Sequence, residues 1–405
     1  MKIAVLTDFH FGYAYNSELE DDPFDAVEEA LDRIDADLIL ILGDVFDSRV
    51  PKTATWAKAL RVLSKPLLRD TSNVRIVETD KELKKISSRT LNHIPVVAIH
   101  GNHERRGRGE LNTVQAMENA GLLIHLHAQH IVFEKDGKKV AVHGMSSVPE
   151  RFAKDVLYEW NPQPIKDCYN ILLLHQNIDP YVYSPLEPPS LNLSNLPKGF
   201  DLILDGHVHV KNQQNIGDTR LVILGSTLVT QFEKGEAESD KGFYLIDTDE
   251  NKIGFFALQN NRRFFYKEID LKENYLKNEI EFTIDEILAR NSGKKPIIKV
   301  KIHANDSDFL SSDLRSIEAK YSARAILIFS KELESPEILS KIEFLHNIRD
   351  QKLSAEEVGL RVLRNNLESM NFENIFDSEQ IFHLLNENAT EKVFNILIGE
   401  QKTLM

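Results

Sequence analysis

One cysteine, Cys168, is all that the 405 residues offer for disulfide chemistry, so no bridge can close within the chain. A disulfide-stapled scaffold is excluded, and the usage fits a reducing compartment. Long apolar runs are missing too: none approaches the roughly 20 residues that a membrane-spanning helix needs, so no membrane association is expected. Met1 and Lys2 lead directly into Ile3-Ala4-Val5-Leu6, too short a stretch for the apolar centre of a secretory signal, and the expectation is a protein that is not secreted. Positive charge is also scarce. Lys and Arg number 49 against 63 Asp and Glu, a formal net charge of -14. That balance argues against a protein coated in nucleic acid, but it leaves room for a local basic patch. It also suits a site rich in acidic metal ligands, whose cations the count leaves out. No internal repeat and no low-complexity segment is present.

What the chain does have is a series of short apolar runs, each ending in a polar cluster. Ile3 to Thr7 precedes Asp8, Leu38 to Leu42 precedes Gly43-Asp44, and Pro95 to Ile99 precedes His100-Gly101-Asn102-His103. Ile171 to Leu174 precedes His175, and Leu202 to Leu204 precedes Asp205-Gly206-His207. Runs of this length bounded by Gly or polar turns predict buried strands. Helical patterns lie between some of them, such as Asp25 to Arg33 and Leu111 to Asn119, which makes the class α/β. Gly242 to Ile246, Ile253 to Leu258 and Phe264 to Ile269 have no helices between them and read as hairpin strands. Asp179 to Gly199 reads as a long loop, and Thr71 to His93 carries no readable motif.

The texture changes at about residue 271, giving three expected parts: 1–270, a small α/β unit over 271–330, and a helical segment over 331–405. In the last part, Ser354 with Glu357 forms a capping box, and Leu360, Leu363, Leu367 and Met370 follow as a narrow apolar stripe. Val393, Phe394 and Leu397 mark a final short helix. Such a tail has little core of its own and is expected to dock.

Five strand ends each deliver oxygen or imidazole groups: Asp8 with His10, Asp44, Asn102, His175, and His207 with His209. Carboxylate, amide carbonyl and imidazole form the ligand set for divalent ions such as Mn²⁺, Fe²⁺ or Zn²⁺. Seven such groups are too many for one tetrahedral ion and suit two. Two metals about 3.5–4 Å apart can clamp a phosphate and activate a water for in-line attack, with one carboxylate bridging them. Asp44 is the natural bridge. Taken singly, each element has an ordinary meaning as a turn or cap; their joint placement at strand ends is what carries the reading.

The series Asp8-Phe9-His10, Gly43-Asp44, Gly101-Asn102-His103-Glu104, His175 and Gly206-His207-Val208-His209 resembles the calcineurin-like metallophosphoesterases. The resemblance implies a four-layer sandwich, with two central mixed sheets flanked by helices. It implies one metal on Asp8, His10, Asp44 and His209, a second on Asp44, Asn102, His175 and His207, and His103 at the leaving oxygen. Asp44-Val45-Phe46-Asp47, Leu174-His175-Gln176 and Lys2 to His10 further resemble the nuclease subunit of double-strand-break repair complexes, the SbcD and Mre type. That narrower resemblance implies a Mn²⁺-dependent nuclease with two ions per chain. Its action would be exonucleolytic on duplex ends and endonucleolytic on single strands. It also implies homodimerisation, a capping, DNA-binding domain over 271–330, and a coiled-coil ABC-type ATPase partner bound through 331–405. A cytoplasmic, nucleoid-associated location follows if the source is prokaryotic. Two positions depart from the pattern: Asp47 stands where many relatives have histidine, and Glu104 replaces the usual aspartate after Asn-His.

Arg105, Arg106 and Arg108 follow directly and could clamp a DNA backbone or simply line a solvated loop. For Arg262, Arg263 and Lys267, interleaved with Phe264, Phe265 and Tyr266, a half-buried strand is the preferred reading. His100, His125, His127, His130 and His143 read as packing or turn histidines. Two other functions use the same features: a phosphoesterase of small molecules or phosphoproteins, and a non-enzymatic scaffold on the same fold. The first does not need the mass beyond residue 270, and the second is disfavoured by the complete set of ligands.

Overall fold

In Lys2–Leu6 the odd positions Ile3 and Val5 and the even positions Ala4 and Leu6 are all without exposed surface. A strand apolar on both faces must be covered on both sides. The same holds for Leu38–Leu42, buried at every position. These strands build a layered body in the computed structural model. It describes residues 1–107, 109–182, 190–270, 276–303 and 311–332, together with 359–364, 367, 377–386, 390, 392–394 and 396. The chain divides into two compact units, Met1–Leu333 and Glu334–Met405.

The first unit holds two large mixed sheets. One has six strands, in spatial order Lys252–Ala257, Gly242–Asp247, Lys2–Leu6, Leu38–Leu42, Val96–Ile99 and Ile124–His125. The last four run parallel and the first two antiparallel. The other has seven strands, in order Asn212–Ile216, Thr219–Ile223, Leu202–Asp205, Tyr169–Leu174, Lys138–Gly144, Gln129–Lys135 and Arg75–Thr79. Ile3, Val5, Leu40 and Val97 of the first meet Val142, Ile171, Leu173 and Leu204 of the second in one apolar cluster, so the sheets pack face to face. On the outer face of the first sheet, Ala4, Leu6, Ile39 and Ile41 pack against the helices Asp22–Arg33, Thr53–Leu63 and Thr113–Asn119. On the outer face of the second, Leu172, Leu174 and Ile203 pack against Glu150–Trp160. The result is the expected four-layer sandwich. Each fully buried Leu, Ile or Val contributes about 1.5–3 kcal/mol, and the two sheets together supply dozens of them.

Three findings differ from the sequence reading. Phe264–Asp270 does not form a hairpin with its predecessor. It pairs parallel with Ile297–His303, which pairs parallel with Ile326–Glu332. With the helices Leu276–Arg290 and Ser311–Tyr321 this makes a small α/β unit with its own core, including Ile280, Ile284, Ile298, Val300 and Tyr321. The featureless Thr71–His93 segment contains the edge strand Arg75–Thr79, with a bulge at Val77 that leaves the valine exposed. In the second unit, Leu363 and Leu367 of the apolar stripe pack with Ile381 and Val393, so part of the stripe is used within the tail itself. Leu360 is half-buried, and Phe394 is exposed. Met370, Leu397 and the Ser354–Glu357 capping box lie outside the described residues. No helix among the described residues is long and apolar enough to cross a membrane.

Candidate metal centre

The parallel strands of both sheets deliver the predicted groups to one place. Asp8 and His10 follow Lys2–Leu6, Asp44 follows Leu38–Leu42, and Asn102 and His103 follow Val96–Ile99. His175 follows Tyr169–Leu174, and His207 and His209 follow Leu202–Asp205. His10 Nε2 lies 3.1 Å from His209 Nε2, and Asp8 Oδ1 lies 3.5 Å from the same nitrogen. Asn102 Oδ1 is 3.1 Å from His175 Nε2 and 2.9 Å from His207 Nδ1. Asp44 Oδ2 is 3.3 Å from His175 Nε2 and 4.0 Å from His103 Nε2. Three sets of side chains offer ligand atoms within 4.8 Å of one another: Asp8-His10-His209, His10-Asp44-His103 and Asp44-His175-His207. Asp44 belongs to two of them, as a bridging carboxylate would.

Local backbone geometry aims these groups. Asp8, His10, Asp44 and His207 all have left-handed φ, at 54°, 50°, 47° and 75°. For residues with a Cβ this costs about 1–3 kcal/mol each, and such strain is retained where the surroundings enforce it. Two glycines let the loops close. A Cβ on Gly101 would sit 2.0 Å from Asp44 Oδ1 and 2.4 Å from Asp44 N. A Cβ on Gly206 would sit 2.5 Å from Thr7 Oγ1 and 2.7 Å from Leu42 O. Gly101→Ala should therefore displace the Asp44 loop. Isothermal titration with Mn²⁺ should find uptake weakened at least about 10-fold, and wild-type uptake would contradict this packing.

Hydrogen bonds orient three of the imidazoles. His175 Nδ1 donates to Leu42 O at 2.6 Å, leaving Nε2 toward Asp44. His103 Nδ1 donates to Asp47 O at 2.8 Å, leaving Nε2 toward Asp44. His209 Nδ1 faces Thr230 Oγ1 at 2.9 Å, Gln231 Nε2 at 3.1 Å and Glu236 Oε1 at 3.6 Å. The divergent Asp47 thus orients His103 with its carbonyl, while its carboxylate stands 3.2 Å from His10 Nδ1. Glu104 does not orient His103. It is fully buried, and it accepts from the backbone of Asp44 at 3.1 Å, Gly101 at 2.7 Å and Phe46 at 2.7 Å. Its longer arm joins the Asp44 and Gly101 loops instead.

The electrostatics are those of a cation site. Asp8 Oδ1 is buried with no hydrogen-bond donor, and two imidazole Nε2 atoms face each other at 3.1 Å. In their neutral forms these imidazoles, with the carboxylate, would offer lone pairs to a cation between them. Burial alone would lower the His175 pKa, but the Asp44 carboxylate outweighs it and raises the value to about 10. Burial is likewise outweighed at His209, where the Asp8 and Glu236 carboxylates, 3.5 and 3.6 Å away, raise the pKa to about 9. His175 in turn holds the buried Asp44 carboxyl well below its usual range. His207 is pushed down to about 3 by burial and by His175.

Sequence reasoning missed the residues behind these groups. Glu236 and Lys241, joined at 2.7 Å, are both buried beneath His209. Thr7 Oγ1 donates to Asp8 Oδ2 at 2.6 Å, and its place on the Asp8 strand was the one available signal. Arg105 pairs with Glu150 at 3.4 Å, and Arg106 donates to Arg49 O, so both cations are anchored at the rim. Arg108 lies outside the described residues. Arg262 has no surface role: it is bonded to Asp22 at 2.6 Å and to Lys295 O at 2.6 Å. His100 and His125 lie 2.9 Å from each other and are bonded to Asn112 and Ser146.

Residues 1–211 match the calcineurin-like phosphoesterase family. Among curated proteins, the chain is 24% identical to a double-strand break repair protein of Arabidopsis thaliana, MRE11, over 91% of this chain and 59% of that one. It is 26% identical to a protein of the same name from Encephalitozoon cuniculi, over 76% and 56% of the two chains. It is also 26% identical to the DNA double-strand break repair protein Mre11 of Methanopyrus kandleri, over 75% and 68%. The chain thus spans less than two thirds of the length of the first two relatives.

Proposed function

The chain belongs to the calcineurin-like phosphoesterases, and from that premise we propose that it is a Mn²⁺-dependent DNA nuclease of double-strand-break repair. The observation that carries the metal reading is the convergence of Asp8 Oδ1, bare and buried, with the facing Nε2 atoms of His10 and His209. The repair proteins among its relatives support DNA as the substrate.

In this reading Asp8, His10, Asp44 and His209 hold one ion, and Asp44, Asn102, His175 and His207 hold the other. Bound together, such ions polarise the phosphoryl oxygens and supply hydroxide at neutral pH. The chain's own residues do the rest. His103, fixed by Asp47 O, presents Nε2 as the proton donor to the leaving oxygen. Its backbone N–H donates to Asp44 Oδ1 at 2.9 Å and steadies the bridging carboxylate. Arg105 and Arg106 stand at the rim, where a DNA backbone would pass. The small α/β domain expected over 271–330 caps the nuclease body and contacts DNA, and residues 331–405 take the coiled-coil ABC-type ATPase. The working form is a homodimer.

The test is incubation of the full chain with Mn²⁺ and end-labelled linear duplex DNA, beside bis-p-nitrophenyl phosphate. DNA degradation that requires Mn²⁺ and disappears in Asp8→Ala and in His207→Ala is expected. Cleavage of the small ester with DNA untouched would place the protein among phosphoesterases of small substrates. Survival of activity in both variants would remove the metal assignment altogether.

Metal uptake should also release protons. His175 and His209 are raised to about 10 and about 9, so both are protonated in the metal-free protein at pH 7.5. Ligation requires their neutral forms, so about two protons leave on binding and affinity rises with pH up to that range. The metal-free fold shows the opposite trend. The stabilisation from these raised values is complete below the ordinary histidine pKa and is lost as pH rises through about 9 to 10. Calorimetry in buffers of different ionisation enthalpy measures the protons, and zero release would contradict the assignment.

A further inference from the structure

We propose that Glu236 is the positioning residue for His209, and that residues 230–237 tie this histidine to the small α/β unit. The proposal rests on reading His209 as a metal ligand. Glu236 sits on the short helix Lys234–Ala237, well after His209 in the chain, and is almost wholly buried beneath it. Its Oε1 lies 3.6 Å from His209 Nδ1 and 2.7 Å from Lys241 Nζ. Its Oε2 accepts from Gln231 N at 2.7 Å and Thr230 N at 3.2 Å. Lys241 closes the circuit by donating to His209 O at 2.8 Å and Ser226 Oγ at 2.8 Å. One buried ion pair therefore grips both the ring and the backbone of His209. A carboxylate behind a ligating imidazole fixes its tautomer and raises its basicity.

The same segment is fastened on its other side. The Phe232 ring packs on Phe264 with centroids 5.5 Å apart, Glu233 pairs with Lys299 at 2.9 Å, and Lys234 stands 3.9 Å from Glu268. Phe264, Glu268 and Lys299 all belong to the three-stranded sheet of the α/β unit. Thr230, Gln231 and Glu236 of this strap face the histidine and Phe232, Glu233 and Lys234 face the sheet, and Tyr13 OH donates to Thr230 O at 3.0 Å, adding a link to the His10 loop. A displacement of the α/β unit would be passed to His209 through this strap.

The experiment is stepwise calorimetric titration of the full chain with Mn²⁺. Wild type should take two equivalents. Glu236→Gln should weaken one of them by about 10- to 100-fold and leave the other unchanged. The double variant Phe232→Ala/Lys299→Ala keeps Glu236 but frees the strap, and it should weaken the same equivalent by roughly 2- to 30-fold. Leu67→Ala, in the apolar cluster on the outer face of the other sheet, controls for lost stability and should leave both equivalents at wild-type affinity. Wild-type affinity for both equivalents in Glu236→Gln would overturn the positioning role. Wild-type affinity in the strap variant would overturn the tie to the α/β unit. An equal, selective weakening in Leu67→Ala would reduce the effect to fold stability and overturn the proposal. A wild-type chain that binds no Mn²⁺ would instead overturn the reading of the centre on which the proposal depends.

Discussion

His103→Asn is expected to lower Mn²⁺-dependent phosphodiester cleavage by about 10²- to 10⁴-fold, the range a positioned proton donor supplies, and to leave both Mn²⁺ equivalents bound. The separation follows from what His103 touches. Its side chain approaches Asp44 Oδ2 at 4.0 Å and is fixed through Nδ1 by Asp47 O. The group that steadies Asp44 is the backbone N–H of residue 103, which asparagine retains. The side chain is also more than a third exposed, in contrast to the buried Asp8, His10 and His175, so the exchange leaves no cavity. Single-turnover cleavage measured beside calorimetric Mn²⁺ uptake separates the two functions. A variant that loses its metal would turn His103 into a ligand, and one that keeps full activity would remove it from the chemistry.

Lys241→Met produces the largest change in stability, about 3–5 kcal/mol of destabilisation. Lys241 and Glu236 are 5% and 1% exposed and lie 2.7 Å apart. Methionine fills the volume, but it leaves the carboxylate buried without its counter-charge and strips donors from His209 O and Ser226 Oγ. Two backbone N–H groups still hold Glu236, which keeps the loss within that range and short of the full penalty for an isolated buried ion. Urea unfolding of the metal-free protein measures the difference. A loss under about 1 kcal/mol would mean that Glu236 takes up a proton at little cost. The experiment would then show a pair that is close in space and weak in energy.

The layered fold was legible because its central strands are buried on both faces, so runs such as Leu38 to Leu42 are apolar without interruption and end abruptly at polar residues. The same endings exposed the seven candidate ligands, since side chains at the carboxyl ends of parallel strands have few other roles. Pairing at long range was not legible. Phe264–Asp270 has the same local pattern whether it forms a hairpin or joins Ile297–His303 across an intervening helix, and only the tertiary structure decides. Arg75–Thr79 escaped notice because an edge strand with exposed positions lacks the apolar run that marks the others. Glu236 and Lys241 carried no signal at all. Buried charges look like surface charges until the partner is in place, and their partner here is a histidine on another loop. Glu104 shows the reverse case: its position was read correctly as unusual, but its role as acceptor for three backbone N–H groups depends on how two loops meet.

The left-handed backbone at Asp8, His10, Asp44 and His207 has a consequence for anyone who evolves this protein in the laboratory. Glycine is the residue that relaxes such a conformation, and each exchange would recover part of about 1–3 kcal/mol. A library sorted for heat resistance alone should therefore drift toward glycine at these four positions and discard the residues proposed as metal ligands. The pressure that keeps them is functional and opposes folding, so thermostability and activity must be screened together for this scaffold to remain an enzyme.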